Sequence, residues 1–184
     1  MIVVKLGGSL AKSGLLANCL QKLNQHYKNS SVVIVPGGGA FADQVRSAQQ
    51  QFQFNDHTAH KMALLAMQQM ALLINGLNNN FVIAHSVALL PSLLQQQKTI
   101  IWSPDLNELD NAGIKPSWDV TSDSLSAWLA STLSAKELVL VKSAPINKNY
   151  TLKQLAEADI VDPSFCNYVS QVDYKLTVIN ANEL

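Results

Sequence analysis

The chain has few charged residues, and their two signs balance. Only 14% of its 184 residues are charged, with thirteen basic and thirteen acidic side chains, and Arg46 is the one arginine. The lack of a basic run argues against a nucleic-acid partner and against a helix that binds a membrane surface. Apolar residues make up 48% of the chain, which is typical of a compact protein with a wide buried core. We expect one domain over residues 1–184.

Cysteine is scarce as well. Cys19 and Cys166 are far apart and lack metal-ligand spacing, so we expect reduced, structural thiols in a cytoplasmic protein. The apolar start has no cationic segment and is interrupted by Lys5, which argues against a signal peptide. The most apolar segment, near residues 62–74, contains two glutamines and predicts a buried helix rather than a membrane span.

Strand and helix patterns alternate along the chain. Apolar runs without alternation are typical of a parallel sheet that is covered on both faces. Strands are predicted over residues 2–6, 31–36, 81–86, 99–104, 137–143 and 176–180. Helices are predicted over residues 13–27, 40–52, 58–77, 87–97, 121–133 and 151–158. This order predicts an α/β fold with a mostly parallel sheet between helical layers. We expect the helix over 58–77, which is apolar almost all round, to lie deep in a layer.

In such a sheet, ligands bind where the strands end, and the first strand ends in a distinctive sequence. Lys5 is followed by Gly7, Gly8 and Ser9. Glycines allow backbone N–H groups to approach a phosphate, and a lysine adds a positive charge. A simple turn with an incidental lysine is the alternative interpretation.

The second strand ends in three consecutive glycines, Gly37, Gly38 and Gly39. Such a run costs backbone entropy and is tolerated best where a ligand contacts the main chain. Gly37, Gly39 and Ala42 also satisfy the dinucleotide pattern G-x-G-x-x-A, with Asp56 near the position of a ribose-binding acid. That alternative requires a strand that ends at the acid, whereas the sequence predicts a helix just after it. The Walker pattern is absent, which excludes a P-loop kinase.

Charged residues also mark a later helix and strand. Asp119 and Asp123 bracket a predicted helix start, where Ser122 or Asp123 could serve as a simple N-cap. Lys142 ends the next strand, a position that is hard to reconcile with a core. Two lysines, two glycine loops and an aspartate that can hold both ammonium groups suit phosphoryl transfer, which requires positioning and charge neutralisation.

The order K-x-G-G-S, G-G-G, S-D at a helix start and a lysine at a strand end resembles the amino acid kinase family over nearly the whole chain. This resemblance implies a three-layer α/β/α sandwich that uses ATP with Mg²⁺ and commonly forms a homodimer. It implies catalytic roles for Lys5, Asp123 and Lys142, ATP phosphate binding by Gly7, Gly8 and Ser9, and acceptor binding by Gly37, Gly38 and Gly39.

Two stretches, P-S-W-D-V-T-S-D-S-L-S-A-W-L-A and D-x-T-A-H-x-M-A-L-L-A-M, most resemble a short branch of this family. Its members phosphorylate an aminomethylfuran methyl phosphate in methanofuran-type cofactor synthesis, a part of one-carbon metabolism. Other acceptors are an amino acid, UMP or isopentenyl phosphate, and a non-catalytic nucleotide- or anion-binding module is a further alternative. Pro145 stands where the family commonly has glycine, which leaves the nucleotide preference open.

Other residues are candidates for the acceptor side. Arg46 could bind a phosphate through both arms of its guanidinium group, or it could be a surface arginine. Asp56 resembles a substrate-binding aspartate of uridylate kinases, and a helix N-cap is the alternative. Asp119 is a further candidate, and the adjacent Trp118 could stack on a flat acceptor or fill the core.

The remaining candidates have a structural alternative that the sequence favours. His57 and His60 could contact substrate, but they show no metal-ligand spacing, so we expect ATP phosphates to hold Mg²⁺. Trp128 is expected in the core or in a dimer contact. Met62, Met67 and Met70 are expected to fill the core.

Overall fold

The computed structural model describes residues 1–96 and 99–184, and within them it contains one parallel sheet of six strands. The strands are β1 (Ile2–Leu6), β2 (Val32–Pro36), β3 (Val82–Ala84), β4 (Thr99–Trp102), β5 (Glu137–Lys142) and β6 (Lys175–Asn180). Their order across the sheet is β3-β4-β2-β1-β5-β6, and every pairing is parallel. The six predicted strands are confirmed, although β3 and β4 are shorter than predicted.

Helices cover both faces of this sheet. They are α1 (Ser9–Lys12), α2 (Leu16–His26), α3 (Gly39–Phe52), α4 (Asp56–Leu77), α5 (Leu90–Gln96), α6 (Leu106–Asn111), α7 (Ser122–Thr132), α8 (Leu152–Glu157) and α9 (Phe165–Tyr168). The short helices α1, α6 and α9 were not predicted. The predicted end of the helix over residues 87–97 lies outside the described residues.

The alternation of side chains along the strands divides the core into two layers. Val3 and Leu140 point to the face that α7 covers, where Leu125 and Phe165 complete one apolar cluster. Val4, Val139 and their neighbours point to the opposite face and pack against α2 and the second half of α4. The result is the predicted three-layer α/β/α sandwich.

The same alternation determines where the two strand-end lysines lie. Lys5 follows Val3 by two residues on β1, and Lys142 follows Leu140 by two residues on β5. Both lysines therefore point to the α7 face, at the carboxyl edge of the sheet. Since β1 and β5 are paired neighbours, the two side chains are close together.

The longest helix, α4, is only partly buried, so the expectation that it lies deep in a layer is wrong for one of its faces. Leu65, Leu72, Leu73 and Leu77 are between 40% and 63% exposed. The opposite face carries Met67 and Met70, which are buried as predicted. Met62, near the start of the helix, is only half-buried. No helix among the described residues is sufficiently long and apolar to cross a membrane.

Candidate active site

The structure brings together the three charged residues that close β1, open α7 and close β5. Asp123 lies between the two lysines: its Oδ1 is 2.8 Å from the Lys5 Nζ and 2.7 Å from the Lys142 Nζ. The Lys142 ammonium also donates to Oδ2 at 2.7 Å. All three residues are at most 8% exposed. The cluster thus buries two positive charges around one negative charge.

The excess of positive charge shifts the pKa values of Asp123 and Lys142. Burial alone would raise the pKa of Asp123, but attraction to Lys5 and Lys142 outweighs burial and lowers this pKa below its ordinary value. Burial and the nearby Lys5 charge lower the pKa of Lys142 to about 8, despite the attraction of Asp123. A bound polyanion would relieve this repulsion and favour the charged form of Lys142.

Asp123 is held by the start of α7, which differs from the prediction. The N-cap is Thr121, rather than Ser122 or Asp123. The Thr121 hydroxyl donates to the carboxylate of Asp162 at 2.9 Å. Asp162 also accepts hydrogen bonds from Ser124 and is buried. Sequence reasoning missed Asp162, because nothing near it in the chain indicates a partner 41 residues away.

The two glycine loops pack against each other at the carboxyl edge of the sheet. A Cβ atom built on Gly8 would overlap the backbone of Gly39, and one on Gly37 would lie 2.5 Å from the Gly8 nitrogen. Gly39 also has a φ of +56°, in the left-handed region that favours glycine. These glycines are therefore required for the contact between the loops, in addition to any contact with a ligand.

The loop after β5 is anchored from both sides. The Ser9 and Ser143 hydroxyls are 2.7 Å apart and connect α1 to this loop. The Asn180 side chain donates to the carbonyls of Ser143 and Ala144 at 3.1 and 2.8 Å. Pro145, which follows, is exposed. Pro145 thus stands where the family commonly has a glycine turn, directly after a loop that the Asn180 amide at the end of β6 holds in place.

A cavity of about 340 Å³ opens beside the glycine loops. Gly8, Ser9 and the glycine run 37–39 form one side of it, and the first turns of α3 and α4 form another. Lys5, Asp123 and Lys142 are not among the described residues that line it, although Ser122, next to Asp123, is. The charged cluster therefore does not itself line the cavity, but Asp123 directly follows a residue that does.

Four side chains are connected beside this cavity, and three of them, Arg46, Asp56 and Trp118, line it. The Arg46 guanidinium lies 3.9 Å from the centre of the Trp118 ring, a cation–π contact. The Trp118 indole N–H donates to the Gln49 Oε1 at 2.6 Å, and the Gln49 amide donates to the Asp56 carboxylate at 2.9 Å. Sequence reasoning missed Gln49, which fixes both Trp118 and Asp56.

Asp56 is the first residue of α4, and the N-cap is Asn55, which accepts from the Thr58 N–H at 2.8 Å. The alternative of Asp56 as an N-cap is therefore wrong, and its carboxylate is available at the cavity. The dinucleotide alternative fails at the same residue, because a helix starts there and no strand ends there.

His60 lies one turn further along α4 and also lines the cavity. It is 6% exposed, and its Nε2 has no hydrogen-bond partner in the described part of the chain. Burial lowers the pKa of His60, which favours the neutral imidazole. A buried polar atom without a partner is costly, which makes His60 a candidate for a ligand contact.

Other candidates lie away from this cavity. Asp119 is exposed and is not among the described residues that line it. His57 is paired with Asp110 across 3.7 Å at the surface. Trp128 packs against the core, with its ring centre 6.0 Å from that of Trp102. Cys19 and Cys166 are both free thiols.

Comparison with known proteins gives a family and a fold. The family model of amino acid kinases matches residues 1–146. The curated (5-(aminomethyl)furan-3-yl)methyl phosphate kinase of Methanocaldococcus jannaschii is 29% identical over 144 residues, which are 76% of this chain. The chain spans 64% of the length of that relative.

Two solved structures share the fold. Uridylate kinase from Archaeoglobus fulgidus superposes with a TM-score of 0.73 at 16% identity, covering 98% of this chain and 91% of its own. Aspartate kinase from Synechocystis also gives a TM-score of 0.73, at 14% identity, and covers 98% of this chain and 37% of its own. At these identities the likeness concerns the fold alone.

Proposed function

Because the chain belongs to the amino acid kinase family, we propose that it is an ATP-dependent phosphotransferase acting on a small acceptor with a phosphate monoester group. The observation that carries this proposal is the buried cluster in which Asp123 lies within 2.8 Å of the Lys5 and Lys142 ammonium groups. A net positive charge next to two glycine loops suits a site where two phosphate groups meet.

In the proposed reaction, an oxygen of the acceptor phosphate attacks the γ-phosphorus of ATP in line. The new P–O bond forms while the bond to the ADP oxygen breaks, and ADP leaves with the electron pair. Lys5 and Lys142 neutralise charge that develops on the transferring group, and Asp123 keeps the two ammonium groups apart at a fixed separation. Backbone N–H groups of Gly8 and Ser9 are proposed to bind the ATP phosphates, whereas the Gly7 N–H donates to the Val141 carbonyl at 2.9 Å and fixes the loop to β5.

Mg²⁺ supplies additional charge neutralisation when it enters with ATP. Among the described residues, no three His, Cys, Asp or Glu side chains are close enough to hold a metal ion. We therefore propose that the phosphates of ATP hold the metal. The protein's own neutralisation of phosphate charge comes from Lys5 and Lys142.

The 340 Å³ cavity supports an acceptor with two opposite charges and a flat centre. We propose that Arg46 and the N–H groups of Gly38 and Gly39 bind its phosphate. The Gly37 N–H donates to the Leu6 carbonyl at 2.8 Å, so Gly37 shapes the loop instead. Trp118 provides an aromatic surface next to Arg46, and the carboxylate of Asp56 provides a partner for an ammonium group. The named compound of the methanocaldococcal relative carries a phosphate, a furan ring and an aminomethyl group, and therefore matches these three features.

We therefore propose an aminomethylfuran methyl phosphate as the acceptor, with its diphosphate as the product of a methanofuran-type cofactor synthesis. ADP release by the purified protein should be measured with this compound, and with glutamate, UMP and isopentenyl phosphate as competing candidates. Turnover that requires the furan compound is expected. Faster turnover of one of the other three would replace the acceptor and leave the kinase activity intact.

A non-catalytic anion-binding module is the second candidate function. The excess positive charge of Lys5 and Lys142 next to the glycine loops would also allow a protein without catalytic activity to bind a nucleotide. Asp123 favours the enzyme, since a simple binding site gains nothing from holding two ammonium groups at a fixed separation. Protein that binds ATP with Mg²⁺ but releases no ADP with any of the four acceptors would favour the module.

The exposed face of α4 supports a homodimer. Leu65, Leu72, Leu73 and Leu77 recur at helical spacing on this face, which α3 leaves open to solvent. We propose that a second copy of the chain covers it. Light scattering after size exclusion should give twice the monomer mass for the parent and the monomer mass for Leu72→Lys. A monomeric parent would contradict this assembly.

The number of domains and the location in the cell are also proposals. We propose that residues 1–184 form one domain, because a single sheet extends from β1 to β6; limited proteolysis that releases a stable fragment would contradict it. The free thiols of Cys19 and Cys166 support a cytoplasmic location, which fractionation of cells can test.

A further inference from the structure

Asp162 lies between α8 and α9, and its carboxylate faces the start of α7. It accepts hydrogen bonds from the Thr121 N–H and the Thr121 hydroxyl, both at 2.9 Å. It also accepts from the Ser124 N–H at 3.0 Å and from the Ser124 hydroxyl through the other oxygen. Asp162 is only 7% exposed. Four donors thus occupy the two oxygens of one buried carboxylate.

This arrangement replaces the usual cap of a helix. The first N–H groups of a helix need acceptors, and a negative charge at this end is favourable. In α7 the N-cap residue Thr121 donates its hydroxyl to Asp162 and so does not itself cap the helix. A carboxylate from a distant part of the chain therefore caps α7, and it fixes residues on both sides of Asp123.

Asp123 needs such fixation, because its carboxylate has to satisfy two ammonium groups at once. The distances of 2.7 and 2.8 Å to Lys142 and Lys5 leave little room for a shift of the first turn of α7. We propose that Asp162 is a positioning residue that holds Asp123 between the two lysines, an inference that rests on the proposed phosphotransferase function.

The contacts around Asp162 extend this inference to the C-terminal segment, residues 147–184. The family model matches residues 1–146, so Asp162 lies outside the matched region. From this segment, the Ser164 N–H donates to the Asp119 carbonyl at 3.1 Å, and the Tyr174 hydroxyl donates to the Ala127 carbonyl at 3.3 Å. The segment therefore contacts α7 before its start, at its first turn and at its middle.

The direct test compares Asp162→Asn with the parent and with Thr132→Ala. Asparagine keeps the shape of the side chain but removes its charge and presents an NH₂ group to N–H and hydroxyl donors. Thr132 is a control in the same helix, because its hydroxyl donates to the Trp128 carbonyl at 2.9 Å, at the opposite end of α7 from Asp123. Kinetics should be normalised to the folded fraction, measured by urea unfolding.

We expect Asp162→Asn to lower kcat by about 10- to 100-fold while KM for ATP and for the acceptor changes little, because misplacement of a reacting group affects the transition state most. Thr132→Ala should retain the kcat of the parent. Parent-like kcat in folded Asp162→Asn would overturn the proposal, as would an equal loss in Thr132→Ala. If Asp162→Asn does not fold, Ser124→Ala, which removes one of the four donors, is expected to lower kcat in the same direction, and parent-like kcat would overturn the proposal.

A second measurement does not depend on turnover. The reactivity of the Lys142 amine with an amine-specific reagent, followed by mass spectrometry across pH, reports its titration. Displacement of Asp123 removes an attraction that raises the pKa of Lys142, so in Asp162→Asn this pKa should fall below the parent value of about 8. An unchanged titration of Lys142 in Asp162→Asn would count against the positioning role of Asp162. This holds even if the parent turned over none of the tested acceptors, because that result would reject only the kinase function.

Discussion

The Lys142 ammonium contacts both carboxylate oxygens of Asp123, each at 2.7 Å. Lys5 approaches one of these oxygens from the neighbouring strand at 2.8 Å. Asp123 is therefore shared by two cations in a buried place, and one positive charge is left without a partner in the cluster. Such an arrangement is unfavourable for stability alone and becomes favourable when a polyanion binds.

The unequal charges predict opposite effects of two substitutions on stability. Asp123→Asn leaves two buried ammonium groups without a counter-ion, and we expect it to lower the free energy of unfolding by about 3–5 kcal/mol. Lys142→Met leaves Lys5 and Asp123 as a one-to-one pair and should be at least as stable as the parent at pH 7. Urea unfolding of the three proteins measures this. Equal stability of the two variants would mean that the cluster does not carry an excess charge.

The lowered pKa of Lys142 predicts a loss of activity in alkaline solution. Lys142 is charged below its pKa of about 8 and neutral above it, and the charged groups that face it are Lys5 and Asp123. Because kcat/KM reports the free enzyme, kcat/KM for ATP should fall as the pH rises through about 8. In Lys142→Arg the charge persists, so the residual activity should not show this fall. A parent profile that stays flat through this range would contradict the role of Lys142.

The contact between the glycine loops predicts a strong effect of one methyl group. In Gly8→Ala the added Cβ would meet the backbone of Gly39, and we expect a loss of about 1–3 kcal/mol in unfolding free energy together with weaker ATP binding. Gly76→Ala is the control, since a Cβ there meets no atom within 4 Å and helix propensity favours alanine by about 0.5–1 kcal/mol. Thermal unfolding and ATP titration of both variants provide the measurement. Parent-like behaviour of Gly8→Ala would show that the loops can separate at no cost.

The strands could be predicted because short apolar, β-branched runs such as those of β2 and β5 are typical of buried strands and fit few other structures. The short helices α6 and α9 could not, since runs of four to six residues do not form helices alone and depend on tertiary contacts. Leu109 and Phe165, both fully buried, supply these contacts. The exposed face of α4 was missed for a related reason: an apolar pattern in the sequence does not by itself distinguish a buried helix face from an exposed one.

The charged cluster was predictable in part. A charged residue is unusual at the end of a buried strand or the start of a buried helix, where Lys5, Lys142 and Asp123 lie. Two lysines and one aspartate at such positions indicate that they form one site. Asp162 and Gln49 are ordinary in their local sequence. The hydrogen-bond partners of Asp162 lie 38 to 41 residues away in the chain, and Trp118, a partner of Gln49, lies 69 residues away. Only the folded chain therefore reveals that Asp162 and Gln49 belong to the site.

Recognition of an ammonium group by Asp56 can be tested with a substrate analogue. Asp56→Asn can still accept from the Gln49 amide, so the cavity wall should persist. We expect the variant to raise KM for the aminomethylfuran compound by about tenfold, the value of a charge-assisted hydrogen bond, and to leave KM for its methylfuran analogue unchanged. An equal increase for both compounds would show that Asp56 shapes the cavity without binding the amine.

The most direct test of the proposed chemistry is the transfer of labelled phosphate from γ-labelled ATP to the aminomethylfuran methyl phosphate by the parent and by Lys5→Ala. Labelled diphosphate product is expected with the parent, and at least about 100-fold less with Lys5→Ala, since charge stabilisation in the transition state is lost. Equal rates of transfer by the two proteins, at equal folded fractions, would contradict the central role of the buried lysine pair.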